Sequence, residues 1–200
     1  MSVNARLLPY AKQLRGKDHL CSVLSEPGFF SKEECQRILE LAKGYPDKEG
    51  MVTGEGGDPT TKDRVRISTV KFGQPDEDNQ WVFDKLEAKI MEMNKVYQFD
   101  LQGFFEGYQV AKYTGGGHYT YHMDIGPGAL SARKLSMTLQ LSDSDDYEGG
   151  DLRIITLPEP APREQGTLTV FPSYLLHAIE PVKKGVRYSL VSWVSGAPWR

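Results

Sequence analysis

Residues 105–142, FEGYQVAKYTGGGHYTYHMDIGPGALSARKLSMTLQLS, decide the fold. Short runs rich in Val, Thr, Tyr, Leu and Phe are broken by Gly, Pro and Ser clusters, with no interval long enough for a helix. The same texture continues to the C-terminus. Read together, the segments 105–113, 119–125, 134–142, 151–157, 167–171, 175–180 and 186–194 make seven short strands. That spacing predicts an antiparallel sandwich or barrel, and a small jelly roll of this kind can hold a ligand at its mouth.

Upstream of this stretch the period changes. Cys21–Leu24 reads as a short strand. Ser31-Lys-Glu-Glu34 is a capping box that opens a helix through Cys35, Ile38, Leu39 and Ala42, which Gly44 and Pro46 stop. A second helix over about Asn79–Tyr97 carries Trp81, Val82, Leu86, Ile90 and Met93 at core-facing spacing. Between the helices, Val65–Phe72 reads as a strand, preceded by a Gly-rich loop, Gly50–Lys62, that is either plain and exposed or a mobile lid. Helices first and strands second predict an α+β fold: a double-stranded β-helix core with the N-terminal helices packed on one face. We expect one domain over 1–200, with a lead-in arm at 1–20, a helical and lid part at 21–98 and the jelly-roll core at 99–200.

Composition narrows the function classes. A net charge of −3 and a pI near 5.8 give no overall attraction to nucleic acid or anionic lipid. No apolar stretch approaches the roughly 20 residues that cross a bilayer. The first residues lack the apolar centre of a secretory signal, so a cytoplasmic location is expected. Cys21 and Cys35 are too few for a disulfide framework and are expected to stay reduced. The acidic run Asp143, Asp145, Asp146, Glu148 and Asp151 does not follow Ca²⁺-loop spacing and reads as a solvated turn.

The chemistry rests on few residues. His122 and Asp124 form an H-x-D triplet inside the run Tyr119–Ile125, where strand alternation would send both side chains the same way. With His177 they make two imidazoles and one carboxylate, the set that occupies one face of a non-haem Fe(II) and leaves three positions open. On the strand 186–194, alternation places Arg187, Ser189, Val191 and Trp193 on one face. A buried Arg needs a carboxylate. Its fork-shaped head suits bidentate binding, either of an Asp or Glu of the chain itself or of a dicarboxylate co-substrate.

The string Tyr113-x-x-Gly116-x-x-Tyr119-x-x-His122-x-Asp124, followed by Glu148-Gly-Gly-Asp-Leu152, Phe171-Pro-Ser173, His177 and Arg187, resembles the 2-oxoglutarate/Fe(II) oxygenases of prolyl 4-hydroxylase type, particularly their bacterial and phage branch. Phe29-Phe30-Ser31, Arg66-Ile-Ser68, Glu106 and Gln109 extend the likeness upstream, to roughly 20–200. The resemblance implies Fe(II) on His122, Asp124 and His177. It implies 2-oxoglutarate with its distal carboxylate on Arg187 and a hydrogen bond from Tyr113, with Ser189 a lesser contact and Trp193 lining the iron pocket. O₂ would be the oxidant, with ascorbate as a possible reductant. One position departs: where some members carry a Tyr on the strand over Leu135–Leu141, this chain offers Gln140.

What the resemblance implies is hydroxylation coupled to the conversion of 2-oxoglutarate into succinate and CO₂. The expected substrate is a prolyl residue of a peptide or protein, with no nucleic-acid or membrane partner. A free amino acid or another small molecule on the same centre is the alternative within the enzyme class. A non-catalytic jelly-roll binding module is the alternative outside it. A nucleic-acid demethylase is disfavoured by the acidic pI and by the single Arg, Arg187, on the strand 186–194 that follows His177.

Overall fold

A computed structural model describes residues 18–50 and 65–199. Residues 1–17 of the expected arm, and all of the expected lid beyond Gly50, lie outside them. In chain order the strands are β1 (Leu24–Glu26), β2 (Lys48–Glu49), β3 (Arg66–Ile67), β4 (Thr69–Gly73), β5 (Leu101–Gly103), β6 (Tyr108–Tyr113), β7 (His118–His122), β8 (Arg133–Gln140), β9 (Tyr147–Gly149), β10 (Leu152–Ile154), β11 (Leu168–Pro172), β12 (His177–Ile179), β13 (Val182–Gly185) and β14 (Arg187–Gly196). The helices are α1 (Lys32–Lys43) and α2 (Gln80–Tyr97).

Two antiparallel sheets face each other as a jelly roll. The larger runs β1-β11-β8-β14-β6-β4-β2, with β5 also on β14; the smaller runs β10-β12-β7-β3. A separate two-stranded ribbon pairs β13 with β9. The expected α+β jelly roll with helices on one face is what the structure shows.

Alternation along the central strands divides the interior into two layers. Leu135, Met137 and Leu139 of β8, with Leu190 and Val194 of β14, face the helices and pack on Cys35, Ile38, Val82, Leu86 and Ile90. The opposite face looks into the roll, where Ala111, Tyr113, Tyr147, Phe171 and Ile179 gather. Every residue of β8 is buried, including Ser136, Thr138 and Gln140 on that inner face. Buried hydroxyls and amides need partners, so a polar inner face marks where the roll does something other than pack.

The start of α1 and the end of α2 have visible causes. Ser31 Oγ accepts from the Glu34 amide at 3.2 Å while Glu34 accepts from the Ser31 amide at 2.7 Å, completing the capping box. α2 stops at Gln98, which turns left-handed at φ 58°, and Asn94 caps the exit by bonding both polar groups of the Phe99 backbone. No helix among the described residues is long and apolar enough to cross a membrane.

Several boundaries differ from the sequence reading. Residues 18–21 form a 3₁₀ turn and the strand expected at Cys21–Leu24 starts at Leu24, where its backbone finds β11 as a partner. The single strand expected over Val65–Phe72 is two, because β3 pairs with β7 in the small sheet whereas β4 pairs with β6 in the large one. The part at 21–98 therefore supplies strands to both sheets as well as helices. The strand expected over Tyr119–Ile125 ends at His122, which bears directly on the site.

Candidate functional site

His122 closes β7, and its register partner across the small sheet is His177, the first residue of β12. The pairing brings the two imidazoles to a centroid distance of 4.2 Å. Asp124 lies past the end of β7, so strand alternation is not what aims it. The chain bends after His122, and the bend is fixed by hydrogen bonds. The Asp124 amide donates to Ser173 O at 2.9 Å, and Arg133 Nη1 donates to Asp124 O at 3.0 Å. Ser136 Oγ, on the polar inner face of β8, donates to Asp124 Oδ2 at 2.6 Å. Arg133 is itself held by both carboxylate oxygens of Glu106 and stacks on Trp193, its guanidinium 3.7 Å from the ring centre.

The three side chains converge. His122 Nε2 lies 3.7 Å from Asp124 Oδ1 and His177 Nε2 3.4 Å from Asp124 Oδ2. All three ligand atoms fall within 4.8 Å of one another, and no other cluster of this kind occurs among the described residues. Three donors on one face of an octahedral ion with bonds of about 2.1 Å sit about 3 Å apart, so small side-chain adjustments close the set on a metal.

Protonation favours the same outcome. His122 Nδ1 contacts Thr120 O at 2.8 Å and His177 Nδ1 contacts Leu175 O at 2.9 Å. A carbonyl can only accept, which puts the proton on Nδ1 in both rings and leaves each Nε2 lone pair facing Asp124. Burial, reinforced by the neighbouring His177, pushes the His122 pKa down to about 4, so the ring is neutral and able to ligate at neutral pH. Burial works against the Asp124 carboxylate. The two imidazoles and the Ser136 hydroxyl outweigh it and hold its pKa below the usual carboxylate value.

The cleft around the triad is lined by Tyr113, Tyr119, Thr138, Ser189 and Trp193 among others. Tyr119 stacks on His122 with ring centres 3.5 Å apart. Tyr121 and His118 do not line it, and Tyr121 is half-exposed. Arg187 starts β14 opposite Tyr113 of β6 and is 2% exposed. Its Nη1 donates to Ser189 Oγ at 3.2 Å, so the guanidinium leans along the strand toward the triad. Among the described residues no carboxylate lies within ion-pair distance of it, so the pairing with an Asp or Glu of the chain is absent there. Gln140 does not reach the triad cleft; it lines the cavity around Arg187.

Gly150 explains part of the E-G-G-D motif. Its φ is +67°, and a Cβ there would lie 2.8 Å from Val182 Cγ2 and 3.0 Å from Arg187 Cδ. Gly150→Ala is expected to cost more than about 1 kcal/mol, seen as a melting temperature lowered by about 3 °C or more. An unchanged melting curve would mean the backbone here relaxes freely.

Sequence reasoning missed Ser136, Glu106's clamp on Arg133, and Tyr147, which joins Gln140 beside Arg187. Alternating polar residues in the otherwise apolar Leu135–Leu141 were the available signal for the first.

A jelly roll with this cluster at its mouth and an enclosed Arg behind it defines a class of metal-dependent oxygenases. Residues 108–195 match the model of the 2OG-Fe(II) oxygenase superfamily. A PKHD-type hydroxylase from a Synechococcus species is 37% identical over 175 residues, covering 82% of this chain and 74% of that protein. Against a PKHD-type hydroxylase of Prochlorococcus marinus identity is 35% over 101 residues, covering 50% of this chain and 46% of the relative. The chain thus aligns with only about half the length of some relatives. A Pseudomonas putida prolyl-4-hydroxylase shares the fold at a TM-score of 0.67 and 18% identity, over 90% of this chain and 96% of that one. A Trichoplax adhaerens prolyl hydroxylase, solved with a hypoxia inducible factor peptide fragment, shares it at 0.68 and 17%, over 98% and 94%. The chain belongs to the 2-oxoglutarate/Fe(II)-dependent oxygenases, among the PKHD-type hydroxylases.

Proposed function

We propose that this chain hydroxylates a prolyl residue of a peptide or protein, with His122, Asp124 and His177 holding Fe(II) and Arg187 holding 2-oxoglutarate. The observation that carries the reading is the convergence of three ligand atoms beside a fully buried Arg that has no carboxylate of its own among the described residues. When bound, Fe(II) with 2-oxoglutarate and O₂ supplies the oxidising chemistry, giving succinate and CO₂ as one oxygen atom passes to substrate.

The protein's part is placement. Ser136 and the Ser173 carbonyl keep Asp124 turned toward the imidazoles. Thr120 and Leu175 carbonyls fix both imidazole tautomers. Tyr113 and Ser189 flank the space between triad and Arg187 and contribute hydroxyls to the co-substrate, while Trp193 walls the metal.

A peptide substrate is favoured by the shape of the opening. The triad cleft continues into a broader surface cleft bounded by Lys48, Arg66, Phe72, Met123, Leu130 and Trp193, an open approach that suits a segment of a larger chain. A peptide is present on the Trichoplax adhaerens prolyl hydroxylase of the same fold. Incubating the protein with Fe(II), 2-oxoglutarate and a panel of proline-containing peptides should give a gain of one oxygen on proline by mass spectrometry, with matching succinate. Oxygen gain on free amino acids and on none of the peptides would overturn the peptide assignment.

A further inference from the structure

Behind the triad, Arg187 shares a small cavity with Thr138, Gln140, Tyr147, Thr167 and Thr169. The carboxylate at its edge, Asp151, is already engaged by Arg163 at 3.4 Å. Arg163 also donates to the Tyr147 carbonyl at 2.9 Å and covers the Tyr147 ring at 4.5 Å, pinning that residue from outside. Thr167 Oγ1 is buried with no hydrogen-bond partner. A buried cation and an unsatisfied buried hydroxyl around one cavity suit an anion with more than one acceptor atom.

Gln140 and Tyr147 bear on the same anion. Gln140 Nε2 donates to the Tyr147 hydroxyl at 2.9 Å, and both side chains are buried. One hydrogen bond uses one donor, and the pair has three. If the amide nitrogen donates, the phenol proton remains to be given elsewhere. If the amide is turned over and the phenol donates to Gln140 Oε1, both amide protons remain. The structure holds the first arrangement, which leaves the phenol proton free beside Arg187, and a neutral donor next to a guanidinium completes a carboxylate site.

We propose that Tyr147, positioned by Gln140, donates a hydrogen bond to the distal carboxylate of 2-oxoglutarate and so selects dicarboxylic over monocarboxylic 2-oxo acids. This rests on the assignment of Arg187 as the co-substrate anchor. It gives the departure at Gln140 a physical meaning: the phenol comes from β9 instead of β8, and the glutamine orients it.

The test is equilibrium binding by calorimetry on the full chain loaded with Mn(II), which is not turned over, using 2-oxoglutarate and 2-oxobutyrate, which lacks the second carboxylate. For Tyr147→Phe we expect the Kd of 2-oxoglutarate to rise about tenfold, the worth of one hydrogen bond to a charged group, with that of 2-oxobutyrate unchanged within about twofold. Gln140→Met, which keeps the volume and removes the amide, should raise the first constant by a smaller factor and leave the second alone. Unchanged 2-oxoglutarate binding in Tyr147→Phe would overturn the proposal. Equal weakening for both acids with a lowered melting temperature would also overturn it, revealing a structural role. A native protein that fails to distinguish the two acids would bring down the Arg187 assignment and this proposal with it.

Discussion

His122→Ala is expected to reduce succinate formation from 2-oxoglutarate to below about 1% of the native rate while leaving the fold intact. Removing partners that merely orient metal ligands already costs about 10–100-fold in affinity or activity, and loss of a ligand exceeds that. The site as built offers only three donors, so two would remain, and no other His, Cys, Asp or Glu among the described residues stands close enough to replace the third. The fold should tolerate the change. His122 lies at the end of β7, its side chain is 16% exposed, and its polar contacts are to the Thr120 carbonyl and Asp124. Truncation therefore leaves no buried donor stranded, and the ring it exposes is Tyr119. Two measurements separate the explanations: Mn(II) affinity, expected to fall about 100-fold or more, and the thermal melt of metal-free protein, expected to move by only a few degrees. Retained turnover at saturating Fe(II) would remove the triad from the chemistry altogether.

How much of this was readable from the chain differs from residue to residue. The jelly roll was legible because short strands punctuated by Gly and Pro carry a period of two, and the helices because one opens on a capping box at Ser31 and the other carries core-facing residues at helical spacing. The alternation of Arg187, Ser189, Val191 and Trp193 followed from the same period, since β14 is the central strand of the large sheet and pairs in unbroken register over these residues. Strand alternation alone would turn Asp124 the same way as His122, but β7 ends at His122 and a bend held by Ser173, Arg133 and Ser136 aims the carboxylate instead. Those partners lie on β8 and on the turn after β11, and contacts across such sequence distances leave no local pattern to read. Tyr147 was hidden for a related reason. It sits in an acidic turn that looked solvated, and its phenol becomes interior only when β9 folds under Arg163. The break at Ser68 is likewise a tertiary decision, since nothing in Val65–Phe72 says that its two halves serve different sheets.

Arg187→Met is expected to move binding and stability in opposite directions. The guanidinium is buried, lies 5.7 Å from the Tyr113 ring centre, and donates to Ser189, yet it has no carboxylate partner among the described residues. Holding an uncompensated cation there costs free energy in the absence of ligand, and replacing buried charge with an apolar side chain of similar volume is often neutral or stabilising, by up to about 4 kcal/mol. Methionine fills nearly the same space with a flexible chain. The ligand-free variant should therefore melt at the native temperature or a few degrees higher. Binding should suffer, because a desolvated charge pair lost at a site costs about 2–5 kcal/mol. With a factor of ten for each 1.4 kcal/mol, that puts the Kd for 2-oxoglutarate at least about 30-fold higher. Arg187→Lys retains the charge without the fork, and should recover part of the affinity but not the full value, since a compact ammonium cannot match both carboxylate oxygens. A variant that melts well below the native protein and binds 2-oxoglutarate normally would show that Arg187 is satisfied by the chain itself. A rise in both stability and Kd has one physical source: a charge buried at the fold's expense for a carboxylate that arrives from solution.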